Sequence, residues 1–148
     1  MPPAPEDYRK LFQAIATEFN KMKTPYHAPV KGTDKCWMQV NGTGLREGIH
    51  YEWAARPGTG KIIVVAIQLG VESRVKCTDL LEKLKANWNQ IAQGIGYHWE
   101  MGPFGSLATE AHFCIPYTGE FPDLDVVPEC VRVMKLLIER THVMLKAC

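Results

Sequence analysis

Residues Thr78 to Glu100, TDLLEKLKANWNQIAQGIGYHWE, constrain the fold of this chain more than any other stretch. Leu80, Leu81, Leu84, Trp88, Ile91 and Ala92 recur at helical spacing, while Glu82, Lys83, Lys85, Asn89 and Gln93 take the other face. Thr78 stands where an N-cap belongs, and Asp79 places negative charge at the positive end of the helix dipole. Gly94 and Gly96 stop the helix, and Tyr97-His98-Trp99-Glu100 reads as a strand. A helix with one apolar face, leading directly into an aromatic strand, predicts a helix lying across a sheet.

The remaining segments supply the other elements. The prolines at 2, 3 and 5 predict a flexible N-terminus over 1–5, ahead of one domain over 6–148. Tyr8, Leu11, Phe12, Ile15, Phe19 and Met22 form one helical stripe from Glu6 to about Met22, with Lys21 and Lys23 suited to its negative pole. Pro25 and Pro29 bound a loop through His27. Cys36 to Val40 reads as a short strand, and Asn41-Gly42-Thr43-Gly44 as a tight turn. From Ile49 to Ala55 the chain alternates, with Ile49, Tyr51, Trp53 and Ala55 on one face and His50, Glu52 and Ala54 on the other. Lys61 to Leu69 is β-branched and reads as a central strand. Tyr97–Met101 and Thr109–Ile115 are two further strands around the turn-rich Gly102–Ser106. Pro128 opens a last helix carrying Val131, Met134, Leu137, Ile138, Thr141 and Leu145 on its apolar side. The order helix, three strands, helix, two strands, helix predicts a single α+β domain with a mostly antiparallel five-stranded sheet and helices on one face.

Length and charge narrow the function. The 148 residues suffice for one stable core, and a formal net charge of +1 gives no overall field to recruit nucleic acid or an anionic membrane. No apolar run approaches the roughly 18 residues needed to span a bilayer. The five cysteines, Cys36, Cys77, Cys114, Cys130 and Cys148, are odd in number and lack the short spacing of a zinc knuckle. They read as reduced thiols in a cytoplasmic protein without a signal peptide.

Several motifs invite chemistry. Pro57-Gly58-Thr59-Gly60-Lys61 has the letters of a phosphate-binding loop. Ile62 follows instead of Ser or Thr, and a strand follows instead of a helix, so the segment reads as a hairpin turn. His50/Glu52 and His98/Glu100 each set an imidazole and a carboxylate on one strand face, as a metal site or an acid–base pair requires. Polar sheet faces carry such residues without function, so no catalytic, metal or cofactor-binding residue is assigned. His112 falls on the face opposite Ala111 and Phe113, and His27 and His142 read as surface or edge positions. Pro122-Asp123 lacks the Glu-x-Lys strand that would complete a restriction-type nuclease. Trp37, Trp53, Trp88, Trp99, Tyr51 and Tyr97 alternate with Ala, Glu and His rather than with Lys and Arg, which favours core packing over a nucleic-acid stacking platform. Lys31, Lys35, Arg46, Arg56 and Lys61 are the candidate contacts for nucleic acid or a protein partner.

Leu81-Glu82-Lys83-Leu84-Lys85, followed by Gly96-Tyr97-His98-Trp99-Glu100, an apolar strand and an amphipathic helix, resembles a bacterial domain of unknown function found after restriction-endonuclease-like nuclease domains. That resemblance covers roughly Leu80 to Leu145, together with the Trp37 strand. It implies a setting in bacterial or phage defence and DNA metabolism, and transfers no site residues. The element order is also similar to that of type III secretion chaperones, which implies protein binding as a homodimer, although those chaperones are typically acidic. The expectation is a non-enzymatic protein-interaction module, an adaptor or inhibitor in a defence or nuclease system. A nucleic-acid-binding accessory module is the alternative, and a secretion-chaperone-like binder a third.

Overall fold

A computed structural model describes residues 3–22, 24–57, 63–77, 79–117 and 120–148. Three helices and five strands follow in the order α1 (Pro5–Phe19), β1 (Trp37–Gln39), β2 (Ile49–Pro57), β3 (Ile63–Glu72), α2 (Leu80–Ala92), β4 (His98–Phe104), β5 (Leu107–Pro116) and α3 (Val127–Lys146). The strands form one sheet in the order β1-β2-β3-β5-β4, with every neighbouring pair antiparallel. This is the α+β arrangement that the periodicities predict.

Alternation along each strand decides where the core lies. Ile49, Tyr51, Trp53 and Ala55 of β2, Val65, Ile67, Leu69 and Val71 of β3, and Ala111, Phe113 and Ile115 of β5 are buried on one face. Against it pack Leu11, Phe12, Ile15 and Phe19 of α1, Leu80, Leu84, Trp88 and Ile91 of α2, and Val133, Met134, Leu137 and Ile138 of α3. Two polar contacts fix α3 on the sheet. The Trp53 indole donates to the Cys130 carbonyl at 3.0 Å, and the Tyr51 hydroxyl lies 2.7 Å from Thr141 Oγ1. The rings of Trp53 and Phe19 meet edge to face at 5.0 Å. Core packing is therefore the use made of Tyr51, Trp53 and Trp88.

The C-terminal end of α2 docks through arginines of α3. An α-helix leaves its last carbonyls without intrahelical donors. Arg140 donates to the carbonyls of Ile91 and Gln93 at 2.8 and 2.6 Å, and Arg132 to those of Gly94 and Ile95 at 3.1 and 3.0 Å. Arg132 also pairs with Glu129, which accepts from the Tyr97 hydroxyl at 2.8 Å. The end of α2 and the approach to β4 are thus tied to α3 by three charged side chains.

Several local expectations are corrected. The helix α1 ends at Phe19, short of Met22, with Asn20 as its C-cap; the Asn20 side chain bonds both backbone groups of Ala28 instead. Asp79, read as a first-turn residue, is the N-cap of α2 with φ of 62°, and the proposed cap Thr78 lies outside the described residues. Asn41-Gly42-Thr43-Gly44 is not a tight hairpin, since β2 begins only at Ile49. Asn41 instead exchanges backbone hydrogen bonds with His27 at 3.0 and 2.7 Å. Gly42, with φ of +74°, is what allows that approach, because a Cβ there would fall 2.2 Å from the Pro25 carbonyl oxygen. β4 and β5 run longer than expected and meet at Gly105-Ser106. His142 is half-buried rather than superficial; its Nε2 lies 2.9 Å from the Thr43 carbonyl, and its ring packs on Tyr26.

The cysteines also depart from the expectation of five reduced thiols. Cys77 and Cys148 are joined by a disulfide across a sequence separation of 71, with Cα atoms 5.0 Å apart. Cys36, Cys114 and Cys130 are free. The spacing of cysteines along a chain carries no information about two residues that α3 brings back beside the start of α2. No helix is long and apolar enough to cross a membrane among the described residues.

Candidate functional site

The second face of the sheet carries no helix among the described residues, and the register fixes which side chains share it. One row across the strands holds Gln39, Glu52, Gln68, His112 and Glu100. Beside it run Trp37, Ala54, Ala66, Cys114 and His98, and on the other flank His50, Gly70, Glu110 and Gly102. Alternation in the sequence predicts this face correctly for His50 and Glu52, for His98 and Glu100, and for His112.

What joins these residues is a relay of hydrogen bonds that crosses all five strands. The side-chain amides of Gln39 and Gln68 donate to the two oxygens of Glu52 at 3.5 and 2.6 Å. Arg56 Nη2 donates to Gln68 Oε1 and, at 3.1 Å, to Glu110 Oε1. The other Glu110 oxygen lies 2.9 Å from His112 Nδ1, and His112 Nε2 lies 3.2 Å from Glu100 Oε2. His98 Nε2 stands 3.9 Å from the remaining Glu100 oxygen. Both histidine contacts are hydrogen bonds at once only when the ring carries both protons. Although no helix covers it, the middle of the relay is shielded by its own side chains. Gln68, Glu110 and His112 are only 2%, 4% and 4% exposed, and the Phe104 ring centroid lies 6.0 Å from that of His112.

Burial and pairing set the acidities. Burial pushes the Glu110 carboxyl up, and the His112 hydrogen bond and the Arg56 charge outweigh it, so Glu110 lies below the usual carboxylate range. Glu52 lies above that range, because its burial outweighs its two amide donors and Arg56. His50 is pushed below the ordinary imidazole value by burial, against the opposing charges of Glu72 and Glu110. His50 and Glu110 therefore contribute stability that is complete above their unfolded values and lost as the pH falls through their folded ones. Glu52 has the opposite sign: its contribution is complete below its unfolded value and lost as the pH rises through its folded one. Urea midpoints measured across pH should fall in two stages on acidification, the first beginning near the free imidazole value of about 6.5 and the second, from Glu110, partly offset by Glu52. His50→Gln should abolish that first stage and leave the second.

The acidic and basic groups of the relay are occupied by one another. Cys114, opposite His98 on the same face, has its thiol pushed up by burial and by Glu100, which disfavours the nucleophilic thiolate. Among the described residues, no group of three or more His, Cys, Asp or Glu side chains is placed to hold a metal ion. His50, Glu52, His98 and Glu100 do not form one cluster. Among the described residues, Glu52 connects to Glu100 through Gln68, Arg56, Glu110 and His112.

The candidate contact residues separate. Lys31, Lys35 and Arg46 are exposed on loops, with the Lys35 ammonium 5.1 Å from the centre of the Trp37 ring. Arg56 is half-buried and pairs with Glu110 within the relay. Lys61 lies outside the described residues, as does Gly58-Thr59-Gly60. The segment is flanked by β2 and β3, with Pro57 registered on Ile63, so no helix follows it. Nothing in the sequence singles out Glu110 and Gln68, because each simply alternates with core residues and so looks like any polar residue of the uncovered face. Comparison with protein-family profiles, with curated proteins and with solved structures finds no match.

Proposed function

We propose that this chain is a non-enzymatic protein-interaction module that binds its partner along the free edge of the sheet at β4. The observation that carries this reading is the state of β4, which has β5 on one side and, among the described residues, no strand on the other. A free edge offers unpaired backbone donors and acceptors to an incoming extended segment. Here Trp99 and Phe104 are 43% and 40% exposed, although large aromatic side chains gain most from burial. Pro103 and the register shift between Gly102 and Phe104 blunt the far end, leaving the stretch around His98 to Met101 for pairing.

A second copy suits this edge. A two-fold antiparallel pairing centred on Trp99 sets His98 of each chain opposite Glu100 of the other, on the same face. Centred on Met101, the pairing would instead bring Pro103 into the ladder and leave Glu100 opposite glycine. The setting we propose is the bacterial cytoplasm, where the module, of bacterial or phage origin, serves as an adaptor or inhibitor in a defence or nuclease system. This setting is the one implied by the resemblance of Leu81–Lys85 and Gly96–Glu100.

A photoreactive phenylalanine analogue at position 99, irradiated in the native cell, tests the reading. The expected product is one discrete adduct, either to a second copy or to a single other protein, that is absent when the analogue stands at exposed Glu82. Equal, diffuse labelling from both positions would overturn it. The alternative of a nucleic-acid-binding accessory module rests on Lys31, Lys35 and Arg46. Against it, Arg56 is already paired, and the uncovered face carries Glu52, Glu100 and Glu110. Mixed-sequence DNA should show no steeply salt-dependent binding, whereas a slope of several charges would favour the alternative.

A further inference from the structure

We infer that Cys77 and Cys148 form a reversible thiol–disulfide site that exchanges with an anionic low-molecular-weight disulfide of the glutathione type. Both residues are half-buried, and they share an open depression of about 220 Å³ with Lys76, Leu80, Lys83, Met144 and Ala147. Cys77 stands three residues ahead of Leu80, the first residue of the 13-residue α2, so the positive end of that helix adjoins the pair. The two exposed lysines favour thiolate, the form that attacks a disulfide, while Asp79 at the N-cap offsets the helix N-terminus. The same positive charges draw in a small disulfide bearing carboxylates.

The other cysteines lack this setting. Cys130 is fully buried, with its thiol pushed up to about 12 by burial. Cys114 lies against Glu100 and Glu110 on the uncovered face, and Cys36, although exposed beside Lys35, is bonded to no second cysteine. Starting from the reduced pair, one thiolate attacks the small disulfide, forming a mixed disulfide and releasing one small thiolate. The second cysteine thiolate then attacks the protein sulfur of that mixed disulfide, closing Cys77–Cys148 and releasing the second small thiolate. Two electrons pass from the protein to the small disulfide, and the two cysteine protons end on the released thiols. The closed bond ties the segment between β3 and α2 to the end of α3; the open pair frees both.

The test equilibrates the whole protein in glutathione buffers of graded redox poise and counts free thiols by alkylation and intact mass. Two thiols should disappear together with one midpoint inside the range that glutathione sets, and Cys148→Ser should abolish that step while Cys36→Ser leaves it unchanged. The double variant Lys76→Glu/Lys83→Glu should slow reaction of the reduced protein with oxidised glutathione about tenfold, yet leave its reaction with uncharged hydroxyethyl disulfide within about twofold. A pair that stays closed in the most reducing buffer, or stays open in the most oxidising one, would overturn the proposal. So would equal slowing towards both disulfides, since that would report a structural change rather than attraction of an anion.

Discussion

Replacing Trp88 by alanine should lower the unfolding free energy by about 3–5 kcal/mol, read as a shift of the urea midpoint at unchanged slope. Trp88 is 3% exposed at the centre of α2. Its ring stacks on Phe113 at 5.3 Å with an interplanar angle of 17°, and lies 5.1 Å from that of Trp99. Truncation removes the largest side chain that α2 contributes and leaves a cavity between helix and sheet that the backbone of β5 cannot collapse to fill. The indole Nε1 is buried without a partner among the described residues. Trp88→Phe therefore sacrifices volume without breaking a hydrogen bond, and should cost well under half as much as the alanine change. A loss below about 1 kcal/mol in Trp88→Ala would mean that α2 is not docked as described.

The second large effect is expected at Arg56. Arg56→Met should cost about 3 kcal/mol, at the lower end of what breaking a buried ion pair costs, because the arginine side chain is itself 35% exposed while Glu110 is buried. The methionine matches the arginine stem, so the loss isolates the guanidinium. Without it, Gln68 Oε1 loses its charged donor and Glu110 is left facing His112 alone. The double variant Arg56→Met/Glu110→Gln should recover most of the loss, since the uncompensated carboxylate is then gone. A surface arginine reserved for a partner would cost no more than about 0.5 kcal/mol, and the double variant would recover nothing. The cycle thus separates an internal role for Arg56 from the contact role that its sequence neighbourhood suggests.

These two residues also mark how far the sequence reaches. Trp88 is legible because its role depends on neighbours one helical turn away, and the stripe Leu80, Leu84, Trp88, Ile91 declares the buried face without reference to the sheet. The alternation from Ile49 to Ala55 likewise tells which side of β2 is apolar. Arg56 is not legible, because its partners lie 12 and 54 residues away and meet it only through the pairing of β2 with β3 and of β3 with β5. Local turn chemistry misleads where a distant segment competes. Asn41-Gly42 has the composition of a tight turn, yet the backbone of His27 takes its hydrogen bonds.

By itself the sequence determined the kind and order of the elements, the apolar face of each, and hence a single α+β domain with helices on one side of an antiparallel sheet. Those properties follow from periods of 3.6 and 2 that repeat within a few residues. Only the tertiary structure decided that β5 lies between β3 and β4, that Glu110 and His112 close a relay from Gln39 to Glu100, and that Cys77 meets Cys148. Each depends on register or on the return of a distant segment. Contacts of that kind are selected by how the whole core packs, and no short window of sequence carries them.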